Sequence, residues 1–398
     1  MASNRRKRSR RRNLKLFSIS NKTFMIVSCI MLVIIGLSVT IIRLRYDNDV
    51  KNLLEEKERI AAEVEEIYTS ANKEISSLKD HKANSIIRIS AVGDILCGDL
   101  LKTHGKEYSN IFTDVTKYLE DADIVLGTYE TNVTGETEGF AKAVKEAGVD
   151  TVSIAHNHSL DLGEEGLNRT NSYLKEIGMD TVGIYKDTPE ERVLIVERKK
   201  IKIAILAYTY DDGDSGINIY SEELAKADLE YAKQNAAFTI VMMHWGNVNS
   251  NYISSRQKEQ AKFLCDNGAD IIIGAHPSAV QNMEVIKNQD GKDCFVAYSI
   301  GDFTSDFSNE NANLELILNM QVYVDTEGNS EIYRVDYTPI YMLDKGYKFE
   351  KDRFKILDMK QEIANYEFNN NLLDKDTYEK LVRGIDRLNR IVIKNEEE

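Results

Sequence analysis

The chain has 398 residues, of which 42% are hydrophobic and 29% charged, and its formal net charge at pH 7 is −14. This composition suits one large packed domain or two small ones and excludes a chain that is disordered over most of its length. Four cysteines without a Cys-x-x-Cys pair exclude a disulfide-built scaffold and a zinc ribbon. The acidic balance argues against nucleic acid as a partner, because a phosphate backbone requires a basic surface.

The basic residues are concentrated at the N-terminus. Residues 1–46 contain eleven of the 51 basic residues and none of the 65 acidic ones, which leaves 40 bases against 65 acids in the rest of the chain. Residues 24–42 carry no charge, and a helix rising about 1.5 Å per residue would just cross a hydrocarbon core of about 30 Å. We therefore predict a basic cytoplasmic leader at 1–23 and a single-pass transmembrane signal anchor at 24–42. The main domain would then lie outside the cell membrane.

A cleaved signal peptide is the alternative, but Arg43-Leu44-Arg45 stands where a cleavage site requires small residues. Residues 47–82 are rich in Glu, Lys, Ala and Leu and contain neither Gly nor Pro. This composition predicts a helical stalk, either solvated by itself or paired with a partner helix.

From residue 84, short apolar runs alternate with amphipathic segments. Continuous Val/Ile runs predict strands that are buried on both faces by flanking helices. These runs are 86–92, 124–128, 151–155, 193–196, 201–208, 238–243, 271–273 and 295–300. We expect one α/β domain at 84–345 with an antiparallel end to its sheet, followed by a helical extension at 346–398 that packs on the domain.

Polar residues able to carry chemistry lie where these runs end. They are Asp94, Glu130, His156, Asn157, His158, Asp161, His244, His276 and Asp302. Ligands collect at the carboxyl ends of strands in α/β proteins because loops converge on that edge. Carboxylate, amide and imidazole groups together predict a divalent metal site for Mn, Fe, Zn or Mg, and hence metal-assisted hydrolysis. The alternative for each residue alone is structural, such as an aspartate that caps a turn.

Several stretches of the chain resemble the bacterial capsule-synthesis, or poly-γ-glutamate biosynthesis, CapA-type family. They are SAVGDILCGD, TYETNVTG, AGVDTVSIAHNHSLDLGEEGL, VMMHWGNVNSNY, ADIIIGAHPSAVQNME and FVAYSIGDF, which occur in family order across about residues 86–307. The family is similar in fold to the calcineurin-like metallophosphoesterases, so the resemblance implies a four-layer α/β/β/α sandwich. It also implies a function in making or exporting an anionic capsule polymer, alongside other membrane subunits of a polymer synthase.

The resemblance further implies roles for individual residues. The positions that match metal ligands of the family are Asp94, Glu130, Asn157, His244 and His276. His158 matches a general acid, and Asp161 would orient it.

Three positions depart from the family pattern. His156 and Asp302 each stand where the family usually has Asn, and Ser278 stands where it usually has His. The histidine at position 156 is either a harmless replacement or an additional metal ligand. Because a hydroxyl is a poorer ligand than an imidazole, either one or two divalent ions are expected.

Two alternatives for function stay open on the sequence alone. The domain either hydrolyses an ester, amide or phosphoester bond, or serves as a non-catalytic assembly subunit of a polymer synthase. For Cys265 and Cys294 we expect buried free thiols, with a disulfide between them as the alternative.

Overall fold

The computed structural model describes residues 86–104, 107–210, 216–305, 314–346, 353–368 and 373–392. The predicted leader, span and stalk lie outside these described residues. Within them, helices and strands alternate along the chain as the apolar pattern predicts, and each of the eight predicted runs overlaps one strand.

The strands carry Val, Ile, Leu and Ala at buried positions, which is typical of strands covered on both faces. In chain order they are β1 (Ile86–Ile95), β2 (Ile124–Tyr129), β3 (Thr151–Ser153), β4 (Asp180–Val182), β5 (Leu194–Arg198), β6 (Ile201–Thr209), β7 (Phe238–His244), β8 (Ile271–Ala275), β9 (Met283–Lys287), β10 (Asp293–Ala297), β11 (Asp302–Thr304), β12 (Leu314–Val324), β13 (Ser330–Asp344) and β14 (Phe354–Asp358).

The helices of the described residues are mostly short. They are α1 (Asp99–His104), α2 (Ser109–Phe112), α3 (Thr116–Leu119), α4 (Glu138–Glu146), α5 (Gly163–Glu176), α6 (Pro189–Arg192), α7 (Glu222–Asn235), α8 (Ser255–Asp266), α9 (Met359–Glu367) and α10 (Lys375–Val392). Helix α8 begins with a capping box, in which the Ser254 hydroxyl accepts from the Gln257 N–H and the Gln257 side chain accepts from the Ser254 N–H.

The strands of the described part form two sheets. The first has eight strands in the order β14-β13-β12-β1-β2-β3-β4, with β11 beside β1, and the second has six in the order β5-β6-β7-β8-β10-β9. Pairing is parallel from β1 to β4 and among β6, β7, β8 and β10, and antiparallel at β12–β14, β5 and β9. The predicted mixed α/β fold with an antiparallel end is therefore confirmed.

Three hydrophobic clusters account for the packing. One contains side chains of both sheets, such as Ile89 of β1 and Ile205 of β6. A second packs the other face of the first sheet against α2, α4 and α5, and a third packs the other face of the second sheet against α7 and α8. Because the two sheets share a core, the carboxyl ends of their parallel strands can meet.

Two glycines let β1 and β11 approach closely. A Cβ atom on Gly93 would lie 1.8 Å from the backbone oxygen of Gly301, and Gly301 itself has a φ of +81°. The backbone N–H of Asp94 donates to that same oxygen at 3.2 Å. Asp94 and Asp302 are register partners in this parallel pair, so the absence of two side chains brings two aspartates side by side.

The cysteine expectation was wrong. Cys265 of α8 and Cys294 of β10 form a disulfide, with their Cα atoms 5.7 Å apart. The two residues are 29 positions apart in the chain, so only the packing of α8 on the second sheet brings them together.

The C-terminal region contributes more than helices. Residues beyond 346 include β14, which pairs with β13 at the edge of the first sheet. Helices α9 and α10 follow, and their Met359, Leu381 and Leu388 side chains join the cluster shared by the two sheets. The predicted boundary at 345/346 stays a prediction.

The prediction of a single-pass membrane protein is corrected. No helix in the described part of the chain is both long and apolar enough to cross a membrane. The longest of these helices, α10, has 18 residues with a charged residue in nearly every turn. The segment 24–42, on which the prediction depended, lies outside the described residues, and the predicted localisation is withdrawn.

A buried ion pair joins α6 and α7. The Arg192 Nη2 lies 2.6 Å from the Asp228 Oδ1, and the two side chains are 4% and 1% exposed. The Tyr208 hydroxyl donates to the same carboxylate at 2.9 Å, and the Arg192 Nη1 donates to the backbone oxygen of Lys186 at 2.6 Å. The guanidinium and the carboxylate therefore neutralise each other's charge in the protein interior, where water does not solvate them.

We expect Arg192→Met to lower the free energy of unfolding by about 3–5 kcal/mol, because Asp228 would stay buried without its counter-charge. Urea unfolding followed by circular dichroism measures the loss. Lys262→Met is the matched control: its partner Asp266 is one helical turn away and the Lys262 side chain is 50% exposed, so the loss should stay below about 1 kcal/mol. Similar losses in the two variants would contradict the assigned importance of the buried pair.

Candidate metal centre

Four of the predicted ligands meet where strands of the two sheets end. Asp94 is the penultimate residue of β1 and Glu130 directly follows β2, both in the first sheet. His244 is the last residue of β7 and His276 directly follows β8, both in the second sheet. The site therefore lies at the carboxyl edges of both sheets, where α/β folds place their ligands.

Glu130, His244 and His276 form a compact group. The Glu130 Oε1 lies 2.6 Å from the His244 Nε2, and the ring centroids of His244 and His276 are 4.6 Å apart. Each of the three residues offers one ligand atom, and these atoms all lie within 4.8 Å of one another. Three donors at this separation can converge on a single ion.

Asp94 adds a carboxylate to this group. Its Oδ2 accepts a hydrogen bond from the His276 backbone N–H at 2.7 Å. Its Oδ1 is buried without a hydrogen-bond partner among the described residues and lies 3.8 Å from the His244 Nε2. Burial, with the nearby Glu130 and Asp302 carboxylates, raises the pKa of Asp94 well above its ordinary value, and the His276 N–H only partly opposes this. A cation beside Oδ1 would relieve the repulsion.

The pKa of the Glu130 carboxylate shifts in the opposite direction. Burial by itself raises its pKa, but the hydrogen bond from His244 and the nearby His244, His156 and His158 rings outweigh burial and lower the pKa to about 2. Glu130 is thus an anion at neutral pH, which a metal ligand must be.

Two further buried atoms lack a partner in the described structure: the Asn157 Oδ1 and the His244 Nδ1. Buried polar atoms are nearly always satisfied, so each such atom requires an explanation, and an ion is one. The Asn157 Oδ1, like the Asp94 Oδ1, is an oxygen donor of the kind that a divalent metal binds. Asn157 follows His156, whose ring centroid is 6.0 Å from that of His244.

His276 is held in a conformation that few side chains adopt. Its φ is +91°, and Ser278 two residues later has a φ of +48°. The Tyr210 hydroxyl lies 2.6 Å from the His276 Nε2 and sets the orientation of the ring. Burial, followed by the nearby His244, lowers the pKa of His276 to about 4 despite the Glu130 carboxylate, so the imidazole is neutral and able to bind a metal.

His158 and Asp161 lie at the rim of the group. The His158 Nδ1 is 2.9 Å from the Asp161 Oδ2, and the side chains are 48% and 55% exposed. The Asn132 side chain donates to the His158 backbone oxygen at 2.9 Å, which holds the turn. An exposed histidine oriented by a carboxylate can exchange protons with solvent and with a bound substrate.

His156 is not available as an extra ligand. Its Nδ1 accepts a hydrogen bond from the His158 backbone N–H at 3.1 Å, and its ring also bonds the backbone of Tyr129. Burial is the main cause that lowers the pKa of His156 to about 3. The ring is therefore a neutral support for the turn that carries Asn157 and His158.

Sequence reasoning missed two residues of this site. Tyr210 follows β6 and was not among the strand-end candidates. Glu315 lies in β12 and is buried, and neither carboxylate oxygen has a hydrogen-bond partner in the described part of the chain. Burial, with the Asp302 and Asp94 carboxylates, raises the pKa of Glu315 well above its ordinary value. The only available signal was one Glu within the apolar run LELILNMQVYV.

The model of the family described as "Bacterial capsule synthesis protein PGA_cap" matches residues 88–307, which is more than half of the 398 residues. The chain belongs to this family. The family resemblance identified from the sequence motifs is thereby confirmed. The matched range includes all seven predicted site residues, and Glu315 lies beyond it.

Two curated relatives are similar over part of their length. The capsule biosynthesis protein CapA of Bacillus anthracis is 29% identical over 260 aligned residues, which cover 57% of this chain and 61% of that protein. The PGA biosynthesis protein CapA of Bacillus subtilis (strain 168) is 26% identical over 250, covering 56% and 64%. The chain thus spans less than two thirds of either relative.

Solved structures with some likeness include the protein TT1561 of Thermus thermophilus, with a TM-score of 0.37, 11% identity and coverage of 63% of this chain and 98% of that chain. The 5′-nucleotidase of Candida albicans has a TM-score of 0.37, 13% identity and coverage of 78% and 58%. The purple acid phosphatase PPD1 of yellow lupin has a TM-score of 0.30, 11% identity and coverage of 64% and 53%. Likenesses with TM-scores this low carry no argument about this chain.

We expect His244→Ala to weaken Mn²⁺ binding by more than about 100-fold, because it removes a ligand and not merely an outer hydrogen-bond partner. Isothermal titration of the chelator-stripped protein with Mn²⁺ measures the affinity. The control is His158→Gln, which removes an imidazole outside the compact group and should leave the affinity within about threefold. An unchanged affinity in His244→Ala would exclude the Glu130–His244–His276 group as the binding site.

Proposed function

We propose that this member of the capsule synthesis family is a divalent-metal-dependent hydrolase that acts on an ester, amide or phosphoester bond of a capsule polymer or of its precursor. The observation that supports this most strongly is the compact Glu130–His244–His276 group beside the unpartnered Asp94 Oδ1. Buried carboxylates and neutral imidazoles at strand ends are the usual protein part of a hydrolytic metal centre.

The proposed fold is the four-layer α/β/β/α sandwich, in which helices cover the outer faces of two sheets. The three hydrophobic clusters support it, since one is shared by the sheets and the other two each join a sheet to helices. In such a fold a substrate would approach the centre from the edge that carries the strand ends, where His158 is exposed.

The proposed ligands are Asp94, Glu130, Asn157, His244 and His276. A bound divalent ion would polarise the scissile group and activate water for attack. Tyr210 would keep the His276 ring in place through its 2.6 Å contact with Nε2. The His276 N–H would hold the Asp94 carboxylate through its hydrogen bond to Oδ2.

His158 is the proposed general acid. Its Nδ1 pairs with Asp161 at 2.9 Å, which leaves Nε2 to give a proton to the departing oxygen or nitrogen. Asp161 stabilises the charged imidazolium and keeps the ring oriented. Proton transfer by a positioned side chain contributes about 10²–10⁴-fold to a rate.

The substrate is proposed to be an anionic capsule polymer, as the family resemblance implies. The chain itself is acidic, with a net charge of −14, and would repel a polyanion at most of its surface. A cation in the site would therefore be required to bridge the carboxylates of the protein and the anionic substrate. We propose that other subunits of a polymer synthase supply or receive this substrate.

We expect His158→Asn to lower kcat by about 10²–10⁴-fold on a phenyl phosphate diester, because phenolate is a poor leaving group without a proton. On the p-nitrophenyl diester the loss should be much smaller, since p-nitrophenolate departs unprotonated. Stopped assays with Mn²⁺-loaded protein measure both rates, and chelator should abolish both.

The same variant distinguishes the hydrolase from the non-catalytic assembly subunit. In the native host, a chromosomal His158→Asn substitution should abolish capsule staining while the protein accumulates at its normal level. Normal capsule in that strain, together with no chelator-sensitive hydrolysis by the purified protein, would establish the assembly function and exclude the hydrolase.

A further inference from the structure

Arg256 is an arginine without a counter-charge near the candidate metal centre. It lies in the first turn of α8 and is exposed. Among the described residues it has neither a hydrogen bond nor an ion pair, whereas every other arginine of these residues has at least one. The guanidinium has five N–H donors in a planar fork that fits a carboxylate or a phosphate.

The Tyr210 ring connects this arginine to the centre. The Arg256 Cζ lies 5.9 Å from the centroid of the Tyr210 ring, and this centroid lies 5.4 Å from the centroid of the His276 ring. The Tyr210 hydroxyl also lies 2.6 Å from the His276 Nε2. A single aromatic ring therefore links the guanidinium to a member of the Glu130–His244–His276 group.

Arg256 and the metal centre belong to the same edge of the second sheet. Tyr210 directly follows β6, whose last residue, Thr209, is the register partner of His244 at the end of β7. Helix α8, which carries Arg256, begins after the loop that follows β7. All these groups lie at the carboxyl ends of the strands, which is the edge from which the proposed substrate approaches.

A buried hydroxyl near Arg256 also lacks a partner. The Tyr220 hydroxyl is buried without a hydrogen-bond partner among the described residues. Burial and the nearby Glu222 carboxylate raise the pKa of Tyr220, and the charge of Arg256 opposes them, so the guanidinium lies within electrostatic reach of the phenol. An unpartnered buried donor requires an explanation, and an anionic oxygen of a ligand would satisfy both a hydroxyl and a guanidinium.

The location of Arg256 within α8 is electrostatically unfavourable without an anion. The first turn of this helix has no acidic residue, although the positive end of the helix dipole favours one. The guanidinium and the helix dipole therefore both attract negative charge. In a chain with a net charge of −14, this region is locally positive and lies next to the acidic ligands of the proposed metal centre.

We propose that Arg256 forms an anion subsite, which binds a carboxylate or phosphate group of the substrate while the scissile bond lies at the metal centre. The inference rests on the proposed hydrolase function, which it deepens. The metal holds the group that reacts, and Arg256 holds a neighbouring anionic group. The anion subsite thus selects substrates that carry repeated negative charges, as an anionic polymer does.

Binding of straight-chain ω-phosphonocarboxylates to the full-length, Mn²⁺-loaded protein tests the anion subsite without any hydrolysis. The phosphonate end is a ligand for the metal, and chains of increasing length bring the carboxylate to Arg256. We expect one length to bind about tenfold more tightly than the alkylphosphonate of equal length, because a charge-assisted hydrogen bond is added. Alkane bisphosphonates form a second series, and the tighter series identifies the preferred anion. Isothermal titration measures the affinities.

Arg256→Met should lose about tenfold in affinity for the best compound and much less for the matching alkylphosphonate. The matched control is Lys258→Met, which removes the same charge from an exposed residue on the other side of α8 and should change neither affinity. Arg256→Lys should recover part of the loss, since it restores the charge without the planar fork. Added NaCl should reduce the difference between Arg256→Met and the unchanged protein, because salt screens exposed charges.

The outcomes separate the anion subsite from the hydrolase. Equal affinities of Arg256→Met and Lys258→Met for every compound would overturn the anion subsite. So would a loss in Arg256→Met that is equally large for the alkylphosphonate, because Arg256 would then merely support Tyr210. Discrimination by Arg256 in a protein that hydrolyses no diester would keep the anion subsite and overturn the hydrolase, and hydrolysis without such discrimination would do the reverse. No binding of any phosphonate would overturn both.

Discussion

The hydrogen bond from the His276 backbone N–H to the Asp94 carboxylate joins the two sheets at the point where the chemistry is proposed. Asp94 extends from β1 of the first sheet and His276 follows β8 of the second, 182 residues later in the chain. Because one Asp94 oxygen is used in this bond, the other is directed into the site without a partner among the described residues. The geometry of the proposed metal centre therefore depends on the orientation of the Asp94 carboxylate.

Electrostatics favours a cation at the proposed metal centre. Burial is the main cause that raises the pKa values of Asp94 and Glu315. Neighbouring carboxylates, among them Asp302, raise these pKa values further. By contrast, burial lowers the pKa values of His156 and His276 to about 3 and about 4, so these rings carry little positive charge at neutral pH. Neutral imidazoles and crowded carboxylates together are prepared for a metal and poorly satisfied without one.

The loop after His276 shows how the fold stabilises a strained backbone. His276, Ser278 and Asn249 all have positive φ, a conformation that persists only where neighbouring contacts determine it. The Asn249 N–H donates to the Pro277 backbone oxygen at 2.7 Å, and the Asn251 side chain donates to the Val280 oxygen at 2.8 Å. The loop that follows β7 therefore holds the loop that follows β8, and His276 is positioned by both.

The amino-acid sequence by itself located eight of the fourteen described strands, the family to which the chain belongs and the polar residues that end several of those strands. These are local properties, since a continuous Val/Ile run, a short motif and a strand-end histidine can each be recognised within about ten residues. Only the tertiary structure decided that Glu130 contacts His244, that Tyr210 contacts His276, that Cys265 bonds Cys294, and that Glu315 is buried beside Asp302. The first three of these contacts join residues that are 114, 66 and 29 positions apart in the chain, and a contact between two different strands or helices leaves no periodic trace in either segment.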